Sequence, residues 1–181
     1  MKTESTVMYV LRLALILLAI TAVVAALLAG VNSVTAPIID KLNAEKTQKA
    51  IEAVLPGGGE SVDFPATDLV SVVYKGEAGY AVQVAPAGFD GPITMMVGID
   101  FEGNVLGISV ISHTETAGLG AVAAATTSAG ENFRSGFVGK SGSVSVTKDG
   151  GEIDSITGAT ITSRAVCAGV NAALGCVAGM G

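Results

Sequence analysis

The densest set of residues able to do chemistry is Asp154-Ser155-Ile156-Thr157-Gly158-Ala159-Thr160, followed directly by Ile161-Thr162-Ser163-Arg164. Ser155, Thr157, Thr160, Thr162 and Ser163 can each cap a free backbone N–H, and Gly158 permits a tight bend, so the stretch reads as a small-residue turn opening a helix. The run from Ala165 to Leu174 is apolar enough to carry that helix into a core. A helix N-terminus offers unpaired N–H groups and the positive end of the helix dipole; with Arg164 nearby it makes a seat for a phosphate. The plain alternative is an ordinary cap before a buried helix, since capping hydroxyls are common.

A second stretch, Ser112-His113-Thr114-Glu115-Thr116-Ala117-Gly118-Leu119-Gly120, holds the only histidine, and its two glycines let the backbone pass close to something else. Its plain alternative is a polar turn at a sheet edge, because a lone histidine says little.

The first stretch matches the pattern Asp-x-x-Ser/Thr-Gly-Ala-Thr, and the chain thereby resembles the FMN-binding family, in which a flavin transferase joins FMN to the last threonine through a phosphoester. The resemblance is to the G subunits of Rnf-type electron-transport complexes, and more distantly to the C subunits of sodium-pumping NADH:quinone reductases. It implies covalent FMN on Thr160, with Asp154, Ser155, Thr157, Gly158, Ala159 and Thr162 around it and Arg164 or Lys148 assisting. The second stretch is similar to the family's other signature, His-x-Glu-Thr-Pro-Gly-Leu-Gly. That likeness implies a cofactor-binding loop of His113, Glu115, Thr116, Leu119 and Gly120, with Thr116, Leu119 and Gly120 beside the isoalloxazine ring. Ala117 stands where the family has proline, which leaves the loop less rigid.

These residues must be positioned by a chain of 181 residues, enough for one membrane element and one modest domain. The formal charge of −6 and the lack of a basic run argue against a nucleic-acid partner. Hydrophobic residues make up 50% but aromatics only 4%, the balance expected of a membrane helix plus a core of small side chains. With one histidine and no Cys-x-x-Cys, no metal site is expected. On a single helix Cys167 and Cys176 would lie roughly 13 Å apart along the axis and on opposite faces. They read as buried small apolar residues, too far apart for a disulfide.

Between Arg12 and Asp40 no charged residue occurs, against the ~20 apolar residues that a bilayer requires, so Leu13 to Val31 reads as a transmembrane helix. The apolar cores of cleaved signal peptides are shorter, about 7–15 residues. Arg12 beside the apolar run and the short stub before it favour a cytoplasmic N-terminus and an extracytoplasmic domain, the arrangement the resemblance also implies. Pro37 is expected to end the membrane helix. Asp40 to Leu55 then shows helical spacing of Leu42, Ala50, Ile51, Val54 and Leu55, and Pro56-Gly57-Gly58-Gly59 stops it.

Strands are expected at Leu69–Tyr74, Tyr80–Ala85, Ile93–Ile99, Val105–Ser112 and Ser143–Lys148, with Glu102-Gly103-Asn104 as a hairpin turn. Ala121 to Gly130 reads as a small-residue helix or loop, and Phe133 and Phe137 as a short helix packed on the sheet. The fold expected is α+β: residues 1–39 a stub and transmembrane helix, 40–58 a linker helix and turn, and 59–181 an FMN-binding domain of antiparallel sheet and flanking helices. The function expected is an electron-relay subunit of an ion-translocating ferredoxin:NAD oxidoreductase, with other complex subunits, a flavin transferase and the lipid bilayer as partners. With no Gly-x-Gly-x-x-Gly fingerprint and no ionisable residue in the span, this chain is expected neither to bind NAD nor to move ions itself. The alternatives are a membrane-anchored ligand-binding or sensing module without covalent flavin, the C subunit of a sodium-pumping NADH:quinone reductase, or a flavinylated domain serving a separate reductase.

Overall fold

The computed structural model describes residues 2–64 and 67–180; Met1, Pro65, Ala66 and Gly181, together with the side chains of residues 2–7 and so the Lys2 and Glu4 charges, lie outside the described residues. Two compact units emerge, Met1–Ala44 and Glu45–Gly181. The first is one helix. Helix α1 runs Lys2–Val54, 53 residues, and its last turns belong to the second unit. Its apolar stretch reaches a mean hydropathy of 2.8 with none of that window buried, the pattern of a surface meant for lipid.

Pro37 does not end the helix, as the sequence suggested; it lies inside α1. A proline removes one backbone hydrogen bond and crowds the carbonyl four residues back, so in a helix this long it costs one rung and need not terminate the rest. The separate linker helix expected from Asp40 is therefore the continuation of α1. Leu42 is half exposed, whereas Ala50, Ile51, Val54 and Leu55 are buried, so only the last turns have a core to join.

The second unit is built on a five-stranded antiparallel meander: β1 (Glu60–Val62), β2 (Val70–Lys75), β3 (Tyr80–Val84), β4 (Thr94–Ile99) and β5 (Val105–Ser112), in that spatial order. Alternation divides each strand between two faces. On one face the register aligns Val73, Val82, Val97 and Ile108, all buried, and helix α3 (Thr160–Ala178) covers them through Val166, Val170 and Leu174. The other face presents Tyr74, Ala81, Gly98 and Gly107 in register, a shallow seat for the end of α1. A Cβ at Gly98 would overlap the carbonyl of Val54, so the close approach requires glycine there. With both faces covered, β4 is buried over five consecutive residues.

The structure departs from expectation at two further places. Strand β1 has no counterpart among the expected strands. Ser143–Lys148 forms no strand: the Asn171 side chain takes both backbone groups of Val144 (N–H to Oδ1 2.8 Å, Nδ2 to the carbonyl 2.9 Å), and only Val146 pairs, in a single bridge with Ile153. A 3-10 turn, Thr147–Asp149, follows. The small-residue stretch resolves into a 3-10 turn at Gly120–Ala124 and α2 (Ser128–Ser135), capped by Thr127. Phe133 and Phe137 meet edge to face, 5.3 Å between centroids, against the sheet.

Cys167 and Cys176 are both buried free thiols in α3. Burial, with a smaller contribution from Asp149, pushes the Cys167 thiol up to about 11, and burial raises Cys176 as well. Thiolate is the reactive form, so both should resist a maleimide at pH 8 in the native protein and react once urea exposes them, as read by intact mass. Labelling of either in the folded protein would contradict this packing.

Candidate functional site

The turn at Ile156–Ala159 is closed by a hydrogen bond from the Ala159 N–H to the Ile156 carbonyl (3.0 Å), with Gly158 at φ +77°, a conformation that favours glycine. A Cβ on Gly158 would also sit 2.9 Å from Leu119 Cδ2, so the bare backbone lets the two signature loops touch. Helix α3 begins at Thr160. Its capping position is Ala159, which makes no side-chain cap, so the expected hydroxyl cap is not what holds the turn. Ser163 holds it from within: its Oγ accepts from the Ile156 N–H and donates to the Ala159 carbonyl, each at 3.0 Å. The first-turn N–H groups are thus left without a hydroxyl cap and remain available to an anion.

Lys148 Nζ donates to Thr160 Oγ1 at 3.0 Å, which brings a cation to the threonine the sequence singled out. Arg164 is engaged elsewhere. It makes a bidentate pair with Asp149, Nε to Oδ2 2.7 Å and Nη2 to Oδ1 2.6 Å, and its hydrogen bond holds the Asp149 carboxyl below the usual carboxylate range. Because Asp149 follows Lys148 in the 3-10 turn, this pair fastens the turn to α3 and so holds Lys148 near Thr160.

A cavity of about 330 Å³ opens between these segments. Thr160, Thr162, Gly158 and Ala159 form one side, Glu115, Thr116, Leu119 and Gly120 the other, and Lys148 lies at the edge. Three large apolar side chains are exposed around it: Phe89 (66%), Ile161 (51%) and Leu119 (44%). Exposed apolar groups next to a cation and an uncapped helix start suit a flat, largely apolar ring that ends in a phosphate.

The remaining candidates lie apart. Asp154, Ser155 and Thr157 line a different hollow of about 410 Å³, shared with Gly118, Asn132 and Phe133 of the neighbouring segments. His113 lines neither; its Nδ1 accepts from the Glu115 N–H (3.2 Å) and shapes the loop. Where the family has proline, Ala117 sits in a turn closed by Leu119 and Ala121 N–H bonds to the Thr116 carbonyl (3.2 and 3.1 Å). Phe89 and Ile161 are cavity residues that sequence reasoning missed, and Phe89 is the one outside both signatures. Its only signal was an aromatic placed among the turn formers Pro86, Gly88, Asp90, Gly91 and Pro92.

Fold and site together define a class. The pattern of the FMN-binding domain family matches residues 88–175, from the loop that carries Phe89 to the last turn of α3. The chain is 35% identical to the G subunit of the Na(+)-translocating ferredoxin:NAD(+) oxidoreductase complex of Acetobacterium woodii, over 90% of its own length and 88% of the relative's. It is 34% identical to the G subunit of the ion-translocating oxidoreductase complex of Methanosarcina acetivorans, over 86% and 87% of the two chains. Over half of its length it is 50% identical to the corresponding protein of Yersinia pestis, covering 45% of that chain. The chain belongs to the family formed by the G subunits of ion-translocating oxidoreductase complexes.

Proposed function

We propose that this chain is the flavin-bearing electron-relay subunit of a membrane-bound, ion-translocating ferredoxin:NAD oxidoreductase complex, with FMN joined to Thr160 through a phosphoester. The observation that supports this most directly is the placement of Thr160 Oγ1, at the rim of an apolar-edged cavity, 3.0 Å from a lysine ammonium and at the first position of an uncapped helix. Bound FMN supplies one- and two-electron transfer. The protein contributes the tether and its surroundings. Thr160 is a point of attachment and not a nucleophile in turnover. A phosphodiester there would bring about one negative charge, which Lys148 and the first-turn N–H groups of α3 offset. Phe89, Leu119 and Ile161 give the cavity an apolar rim for the ring.

The apolar part of α1 anchors the subunit in the lipid bilayer, with the N-terminus cytoplasmic and the flavin domain extracytoplasmic, where a covalent bond prevents loss of the cofactor by dilution. The other subunits of the complex are its electron-exchange partners, and a flavin transferase matures it. The relatives named above are G subunits, which favours this assignment over the C subunit of a sodium-pumping NADH:quinone reductase.

The test is the intact mass of full-length chain produced with and without a flavin transferase. Co-production should add the mass of one FMN less one water and give a fluorescent band after denaturing electrophoresis. An unmodified mass under both conditions overturns the reading.

A further inference from the structure

Glu115 is a charged residue only 8% exposed, in the wall of the Thr160 cavity. Its two oxygens serve different parts of the chain. Oε1 accepts from the backbone N–H of Phe89 (2.7 Å), in the loop between β3 and β4. Oε2 accepts from Thr162 Oγ1 (3.0 Å), in the first turn of α3. One carboxylate thus ties its own loop to segments 26 residues before it and 47 residues after it.

The side chain also has nowhere to swing. A Cβ on Gly88 would overlap Oε1, and a Cβ on Gly120 would overlap Oε2, so the carboxylate fills a slot between two glycines. Burying a charge is costly even when it is hydrogen-bonded, and a neutral amide could make two bonds of the same geometry. The charge itself is therefore the feature that holding three segments together does not explain.

We propose that Glu115 is a positioning and potential-setting residue of the flavin seat. Its hydrogen bonds fix Phe89 at the cavity rim against the start of α3, and its negative charge disfavours electron uptake by the bound flavin, lowering the reduction potential. This rests on the flavin assignment above. The sign follows from Coulomb's law: reduction adds negative charge, and a fixed anion nearby, poorly screened because it is buried, opposes it.

Glu115→Gln separates the two roles. The amide oxygen can still accept from the Phe89 N–H, and the amide nitrogen can donate to Thr162, whose hydroxyl turns to accept. Both bonds survive and only the charge is lost. Glu115→Ala removes bonds and charge together.

Midpoint potentials of the flavinylated full-length chains would be measured by spectroelectrochemical titration, and thermal unfolding of the same chains by calorimetry before flavinylation. The Gln variant should melt close to wild type, accept flavin to the same extent and show a higher potential, whereas the Ala variant should melt clearly lower. A flavinylated Gln variant with the wild-type potential, or one that melts as low as Ala, overturns this proposal and leaves the flavin assignment standing. A wild-type chain that takes up no flavin overturns both.

Discussion

Thr160→Ala should leave the protein folded and without covalent flavin. The Thr160 side chain is half-buried and has one hydrogen bond, from Lys148 at the surface, so removing it costs at most about 1 kcal/mol. The hydroxyls that follow it in α3 are not free to take over. Thr162 is 1% exposed and bonded to Glu115, and Ser163 is fully buried with its hydroxyl engaged twice. Thr157 is exposed but lines the other hollow. Produced with a transferase, the Ala variant should therefore show no in-gel fluorescence and no added mass, while its melting temperature stays within a few degrees of wild type. Thr160→Ser restores the oxygen and should restore labelling. Fluorescence at wild-type strength from the Ala variant would move the attachment to another residue and remove the reason for assigning Lys148 a role.

What could be read from the residues was mostly what depends on near neighbours in sequence. Strands β3 to β5 announce themselves as short runs of strand-forming residues between turn residues, and Val105–Ser112 lies where expected. The alternation around Val144 and Val146 misled, because the partner for that backbone is an asparagine side chain 27 residues on, which no local pattern records. Pro37 misled for the opposite reason: the local rule is sound, but a single lost rung does not break a helix of 53 residues.

At the site, the residue types and spacing of the threonine motif were legible, and the side of the backbone on which each residue falls was not. The bend at Gly158 turns Thr160 and Thr162 toward one hollow, while Asp154, Ser155 and Thr157 border another. Of the two cations the sequence offers, Arg164 and Lys148, Asp149 in a 3-10 turn takes the first, and Lys148 is the one that bonds Thr160. Phe89 is held at the cavity by its backbone bond to Glu115, a contact between the loops that enter and leave the β4–β5 hairpin.

That contact is also a place where a single methyl group should damage stability. Gly120→Ala is expected to destabilise the protein by about 3 kcal/mol, or roughly 6–12 °C in melting temperature for a chain of this length. The new Cβ would overlap Glu115 Oε2 and stand 2.6 Å from Thr162 Oγ1. A glutamate tip usually yields to such pressure by rotating away, but here Oε1 is held by the Phe89 N–H and backed by Gly88. Relief must therefore come from breaking a charge-assisted hydrogen bond of a buried carboxylate or from displacing the start of α3. Gly175→Ala is the matched comparison, because it adds the same atom to an exposed helical site with nothing within 4 Å of the new Cβ. There the substitution only improves helix propensity and should stabilise by about 0.5–1 kcal/mol. Calorimetry of the two full-length variants should move the melting temperature in opposite directions. If Gly120→Ala melts with or above wild type, the Glu115 slot is loose, and the carboxylate cannot be what holds Phe89 and Thr162 in place.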